Sequence, residues 1–402
     1  MLASFFQLYK QAFSGLSKNS WYLSVVMLIN RSGTMVVPFM TIYCVHQLHF
    51  TIIQASIVMM LYGLGSIIGA FAGGKITDRI GFYDLQVIAL LSGGLLFLVL
   101  GYQHTYLTIS AGAFVLSFCN ESFRPANSTA IAHYSNAENK TRSYSLNRLA
   151  VNLGWAVGGA LGGFIASINY HLLFWVDGST NILAAILLLT LMPRSKMTTT
   201  FTKPDNSVPR VSPYTDRIYL LFIVLGILFF MSFYQFFIMQ PVFYKINWHF
   251  SERFIGFLLA LNGILIALVE MVLVHKLEGK RNGLVYIASG ILIATLGFVL
   301  LNILPPTAVA AIVVVILITF GEMMSMPFMN AFWIGRSAAN NRGDYAALYS
   351  MTWSTGQVIA PLIGGEVIAY GGFNLLWWVL GGLSLISSAG YFVLYRTNYY
   401  SS

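Results

Sequence analysis

Charge is what this chain has least of. Asp, Glu, Lys and Arg make up 9% of 402 residues, while 57% are hydrophobic. A soluble domain carries about 25% charged residues, so a water-exposed surface is excluded and a lipid-facing one is implied. Only two cysteines occur, Cys44 and Cys119, both inside apolar runs. That excludes a disulfide framework and a thiolate metal site. No G-x-x-x-x-G-K-[ST] phosphate loop is present, so the chain encodes no ATP motor. Nucleophile elbows, redox cysteine pairs and clustered metal-ligand histidines are also missing, and the spacing of His46 and His49 is at best a weak metal hint. An enzyme, a metal and a cofactor are therefore not expected.

The first twenty residues lack a long apolar segment and a small-residue cleavage site, which argues against a cleaved signal. They predict a cytoplasmic amphipathic helix over 1–20 lying on the bilayer, with Leu2, Phe5, Phe6, Tyr9 and Phe13 set against Lys10 and Gln11. The net charge of +9 is scattered through short connections rather than gathered on one face. Nucleic acid is not an expected partner; the bilayer is.

Long apolar runs are abundant. Twelve reach the roughly 20 residues that a spanning helix needs. In the first half they are 21–45, 52–73, 85–103, 106–134, 144–168 and 171–193. In the second they are 217–240, 253–275, 283–303, 307–334, 345–369 and 372–395. The segment 194–216, rich in Ser, Thr and Pro, reads as a cytoplasmic linker between bundles at 21–193 and 217–396, and 397–402 as a tail. With both termini in the cytoplasm, 17 of the 22 Lys and Arg fall on that side, two outside and three within runs. The excess of basic residues predicts that orientation.

The two halves repeat each other. A step of 202 carries Gly81 to Gly283, Pro125 to Pro327, Leu146 to Leu348, Gly162 and Gly163 to Gly364 and Gly365, and Trp175 to Trp377. Repeated membrane-embedded halves are a common architecture of secondary transporters, with the substrate near the midplane.

The connection after the second run reads Gly74-Lys75-Ile76-Thr77-Asp78-Arg79-Ile80-Gly81. It resembles the cytoplasmic loop signature of the major facilitator superfamily, G-x-[LI]-x-D-R-x-G. The resemblance implies a loop in which Asp78 pairs with basic groups at nearby helix ends, beside Arg79, and latches the outward-facing state. Gly74 and Gly81 would permit a tight turn. Phe82-Tyr83 stands where the family has a basic pair. The fold implied is all-α and polytopic, with twelve transmembrane helices in two pseudo-symmetric six-helix bundles. The fifth run carries Gly154, Gly158, Gly159, Gly162 and Gly163, a spacing suited to close helix packing in lipid. It is similar to the G-P-x-x-G-G motif of the drug:proton antiporter branch, with Gly159 at the proline position. The second half keeps the proline, as Pro361 ahead of Gly364 and Gly365.

Ionisable groups inside apolar runs are costly and mark function. Arg31 lies roughly 15 Å into the first run at 1.5 Å per residue. Glu121 and Glu322 sit near the middle of the fourth and tenth, and Arg124 follows Glu121 by three residues, on the same helix face. The resemblance implies that the first, fourth, seventh and tenth helices line a central cavity, which would place all four there. Glu322, with no arginine within a turn, is the expected proton-coupling acid, and Glu121 the second. Asn30, Tyr43, Asn127, Tyr234, Gln235 and Asn330 are further cavity candidates. Asp177 reads as a helix-end feature of the sixth run.

The expectation is a monomeric secondary transporter of the bacterial inner membrane. It would exchange protons for small amphipathic molecules or drugs, by alternating access. Proton-coupled import of a nutrient or peptide-like solute is the alternative, and a transport-inactive membrane sensor a third.

Overall fold

A computed structural model describes residues 15–136, 139–194, 212–337 and 341–400. Most of the expected surface helix at 1–20 and of the linker at 194–216 lies outside these residues, as does the end of the tail. Among the described residues every regular element is helical. Helix α1 spans Lys18–Ser32, α2 Val36–Ile42, α3 Ile52–Ile80, α4 Phe82–Leu100, α5 Tyr106–His133, α6 Lys140–Ala166 and α7 His171–Leu191. Then come α8 at Arg217–Phe233, α9 at Gln235–Ile238, α10 at Gln240–Ile246, α11 at Glu252–Leu265 and α12 at Met271–Leu277. Last are α13 at Gly283–Ile303, α14 at Ala308–Arg336 and α15 at Arg342–Tyr400. Two π-helical turns, Tyr43–Gln47 and Ile266–Glu270, follow α2 and α11.

Ten helical segments among the described residues are long and apolar enough to cross a membrane. Their outward residues include Phe71, Leu95, Val309 and Tyr370, all exposed. Such a surface is stable in lipid and not in water. Short polar side chains start the helices. Ser17, Thr105, Thr307, Asn282 and Asp216 each accept a backbone N–H at a first turn, filling donors that a helix leaves open. Gly372, at φ 73°, breaks the helical conformation of α15.

Two expectations change. The first and seventh runs are not continuous helices. The first is interrupted at Gly33–Met35 and the seventh at Tyr234 and Met239. Pro38 in α2 and Pro241 in α10 explain where the breaks fall. A proline clashes with the carbonyl four residues earlier and offers no N–H, so it fits a first turn at least cost. The signature at 74–81 is not a loop: residues 74–80 form about the last two turns of α3, and Gly81 follows them. Ile76 to Ile80 continue the helix, and the Thr77 carbonyl accepts the Gly81 N–H at 2.9 Å. Gly81 alone supplies the turn, at φ 90°, a conformation that costs a residue with a Cβ.

The described residues form two compact units. One draws on Met1–Phe39, Leu61–Thr200 and Glu252–Gly263, the other on Met40–Met60, Phe201–Ser251 and Ile264–Ser402. In the first, Phe82, Phe123, Leu90, Ala126 and Leu188 are core residues. In the second, Tyr219, Phe222, Phe229, Ile287 and Tyr391 fill the same office. A further repeat appears at His49 and His249, both left-handed at φ 57° and 54°. Beside them Phe50 N–H donates to the Cys44 carbonyl and Phe250 N–H to the Tyr244 carbonyl, each at 2.9 Å. The step between these corners is 249 − 49 = 200, so the register of 202 does not extend to them.

Candidate functional site

In the first unit a cavity of about 20 Å³ is lined by Asn30 and Arg31 of α1, Tyr62 of α3, Asn120 and Glu121 of α5 and Asn181 of α7. That is room for about one water molecule and so for one functional group of a ligand. The Nε of Arg31 is buried with no hydrogen-bond partner among the described residues. A buried donor left unmet is costly, and an arriving acceptor would relieve that cost.

Glu121 and Arg124 share a face of α5, yet they face different surroundings. The Glu121 side chain is 13% exposed and that of Arg124 73%, with 3.7 Å between Nη1 and Oε2. Only Glu121 lines the cavity. Asn30 donates to Asn181 at 2.9 Å, and Asn181 donates to the Asp177 carbonyl at 2.8 Å. Asn127 lies outside the cavity; it accepts from Gln86 and donates to Asn147.

The second unit holds the remaining candidates. Glu322 is half-buried midway along α14. Asn330, a turn or two further on, donates to the Met326 carbonyl and accepts from Trp333 Nε1 at 3.2 Å. Tyr234 sits at the joint between α8 and α9, its ring edge-on to Trp353. Gln235 is fully buried and donates to the Ala360 carbonyl at 2.5 Å, tying the interrupted seventh span to α15. Tyr43 is buried in the first π-helical turn.

The glycines of α6 serve two neighbours. A Cβ on Gly154, Gly158 or Gly162 would press on Arg31, on the carbonyls of Ser32 and Thr34, or on Met35. Gly159 and Gly163, one position round the helix, lie against Leu259 and Gly256 of α11. In the second unit Gly364 packs on the Gln235 amide and Gly365 on Ser56, with Pro361 one turn earlier in α15. Asp78 and Arg79 are exposed on the last turn of α3, and Gly74 has open space beside it.

Reasoning from sequence passed over two groups. Tyr62 was missed because it stands alone in the apolar second run, which the resemblance did not assign to the cavity. Asp177 is not a helix-end feature of its own helix. It is 0% exposed, seven residues into α7, and its carboxylate accepts the N–H of Met35 at 3.0 and 3.1 Å and of Val36 at 2.9 Å. The Arg31-Ser32-Gly33-Thr34 run, ahead of Pro38, was the available sign that a break needed such a partner.

A family model described as the Major Facilitator Superfamily matches residues 22–354. Among curated proteins, the chain is 25% identical to a Na(+), Li(+), K(+)/H(+) antiporter of Planococcus maritimus, over 92% of this chain and 93% of that protein. It is 22% identical to the quinolone resistance protein NorA of Staphylococcus aureus, over 86% of this chain and 88% of that one. Among solved structures, a POT family transporter in complex with 5-aminolevulinic acid superposes with a TM-score of 0.79 at 15% identity, covering 94% of this chain and 96% of that one. The nucleoside transporter NupG superposes at 0.78 and 12%, covering 94% and 100%. At these identities the structures speak for the fold alone. With the match to the family model extending over most of its length, the chain is an integral membrane transporter and belongs to the Major Facilitator Superfamily.

Proposed function

We propose that this transporter is a proton-coupled antiporter that exports small amphipathic molecules by alternating access. The observation that carries the reading is the pair of curated relatives, each aligned over at least 86% of this chain. One is named as a cation/proton antiporter and the other for quinolone resistance. The chemistry of the chain agrees with them. Without an ATP-binding loop, uphill transport must draw on an ion gradient, and each unit keeps a carboxylate near the middle of a membrane-length helix, Glu121 in α5 and Glu322 in α14. Desolvation and nearby charge can bring such acids into a range where they load and release protons.

In this reading Glu322 takes a proton from outside, and substrate displaces it from the cytoplasmic side. Arg31, Glu121 and Tyr62 hold a polar group of the substrate, and the exposed Asp78 and Arg79 act at the cytoplasmic end of α3. Twelve spans in two six-helix bundles follow if two segments are counted differently. Gly372 divides the 54-residue segment Asp344–Thr397, and α5 is long enough to span but carries Asn120, Glu121, Arg124 and Asn127, which lower its hydropathy. A monomer in a bacterial inner membrane, with both termini cytoplasmic, completes the proposal. A monovalent cation as substrate is the second reading, favoured by the name of the Planococcus relative. The guanidinium of Arg31 in the first unit's cavity works against it.

The test is accumulation of fluorescent cationic, anionic and neutral compounds in an efflux-deficient bacterium, for the native chain and Glu322→Gln, with and without a protonophore. Lower accumulation that needs both Glu322 and the proton gradient is expected. Normal export by Glu322→Gln would remove that residue from coupling, and substrate gain rather than loss would turn the reading to import.

A further inference from the structure

We propose that Asp177 is the positioning residue of the Arg31 cavity: its carboxylate, enclosed in the first unit, fixes the interruption of the first span and thereby the place of the Arg31 guanidinium. A broken helix in lipid must find partners for the backbone groups it frees. Here the freed N–H groups of Met35 and Val36 both go to Asp177, in three contacts of 2.9 to 3.1 Å. Met35 N–H also reaches the Gly33 carbonyl at 3.0 Å, while the Val36 N–H goes to Asp177, so the break draws on α7.

Neighbouring side chains of α7 strengthen the arrangement. Thr180 and Asn181 follow Asp177 by three and four residues, which puts all three on one helix face. That face meets the first span at successive points. Thr180 occupies the space where any Cβ on Gly33 would fall, and Asn181 accepts from Asn30. From α6, Gly154 and Gly158 lie against Arg31 and the carbonyl of Thr34. The first span is thus flanked by a polar face of α7 and the glycines of α6, and the Nε of Arg31 is left over for the cavity. Asp177 itself is fully enclosed and its oxygens are occupied, so it serves as an anchor and does not touch the transported molecule.

The inference rests on the proposed function only in taking the cavity as a substrate site, and its test uses no substrate, so the two fail separately. The full chain in lipid nanodiscs would be followed by hydrogen–deuterium exchange, and in parallel by arginine modification with phenylglyoxal, with the exposed Arg79 as internal standard. In Asp177→Ala, exchange of the Met35 and Val36 amides should rise at least ~10-fold, as local opening allows, with peptides of α4 and α5 unchanged. Arg31 should react severalfold faster relative to Arg79. Asp177→Asn keeps one carbonyl oxygen for the Val36 N–H and should fall between, a partial rescue. If the alanine variant does not reach the membrane, the asparagine variant decides by the same readings. Unchanged protection at residues 35 and 36, unchanged Arg31 reactivity, or equal loss of protection throughout α4 and α5 would each overturn the assignment.

Discussion

Gly163 of α6 and Gly256 of α11 face each other so closely that a methyl group on either would lie 2.6 Å from the Cα of the other. Neither backbone can move without moving its helix. Gly163→Ala should therefore destabilise the protein by about 1–3 kcal/mol, the usual cost of overpacking. Gly365→Ala, pressed on Ser56, should behave alike. Thermal unfolding in detergent checks both, and Gly74→Ala, with open space beside it, serves as the silent control.

Arg336 donates two hydrogen bonds to Asp216, at 2.5 and 2.8 Å, and Tyr345 donates a third at 3.0 Å. Burial raises the carboxyl of Asp216, but the bonds from Arg336, Tyr219 N–H and Tyr345 outweigh it and hold the group below its ordinary value of 3.8. With the folded value depressed, the stabilisation is present above about pH 4 and is lost as pH falls through the lowered value. Arg336→Ala should cost about 1–2 kcal/mol at pH 7. The deficit should shrink in acid, which unfolding at pH 7 and below pH 4 would measure.

Tyr170 donates its hydroxyl to Glu252 Oε1 at 2.9 Å in buried surroundings, joining the start of α7 to the start of α11. Burial and the Glu252 charge push the phenol above its ordinary value of 10.0. For a raised group the stabilisation holds below the unfolded value, near 10, and is lost only as pH rises through the folded one. Tyr170→Phe should cost about 1–3 kcal/mol by leaving the carboxylate short of a donor. That difference in unfolding should be the same at pH 7 and pH 9.

Arg124 and Glu121 should part company in mutagenesis. Arg124→Ala removes a largely exposed partner from a loose 3.7 Å pair, and the loss of stability should stay under about 1 kcal/mol. Glu121→Gln alters the cavity itself, and should reduce export in the accumulation assay well before Arg124→Ala does. Equal effects of the two variants would place both residues in one functional pair.

Much of the helical layout was legible because lipid imposes a simple rule. Runs such as 85–103 and 283–303 are apolar throughout, and they match α4 and α13 closely. The breaks were harder to read. Pro38 and Pro241 interrupt their spans, whereas Pro125, Pro327 and Pro361 sit inside unbroken helical stretches. A proline shows that one hydrogen bond is missing; whether the helix parts depends on what neighbouring helices offer the backbone. The candidate site divided in the same way. Arg31 and Glu121 announced themselves as charges in apolar runs, whereas the bonds that Gln235 and Asn127 make to neighbouring helices emerge only in the fold.

By itself the sequence determined that the chain lives in a membrane, that it repeats, and which few charges it takes into its helices. Those follow from local composition, since hydration cost is paid residue by residue. Only the tertiary structure decided which of those groups meet. Asp177 and Met35 stand 142 residues apart in the chain, and only packing of α7 against the interrupted first span brings carboxylate to backbone. Hydrogen bonds act over about 3 Å, a distance that no spacing along the chain encodes.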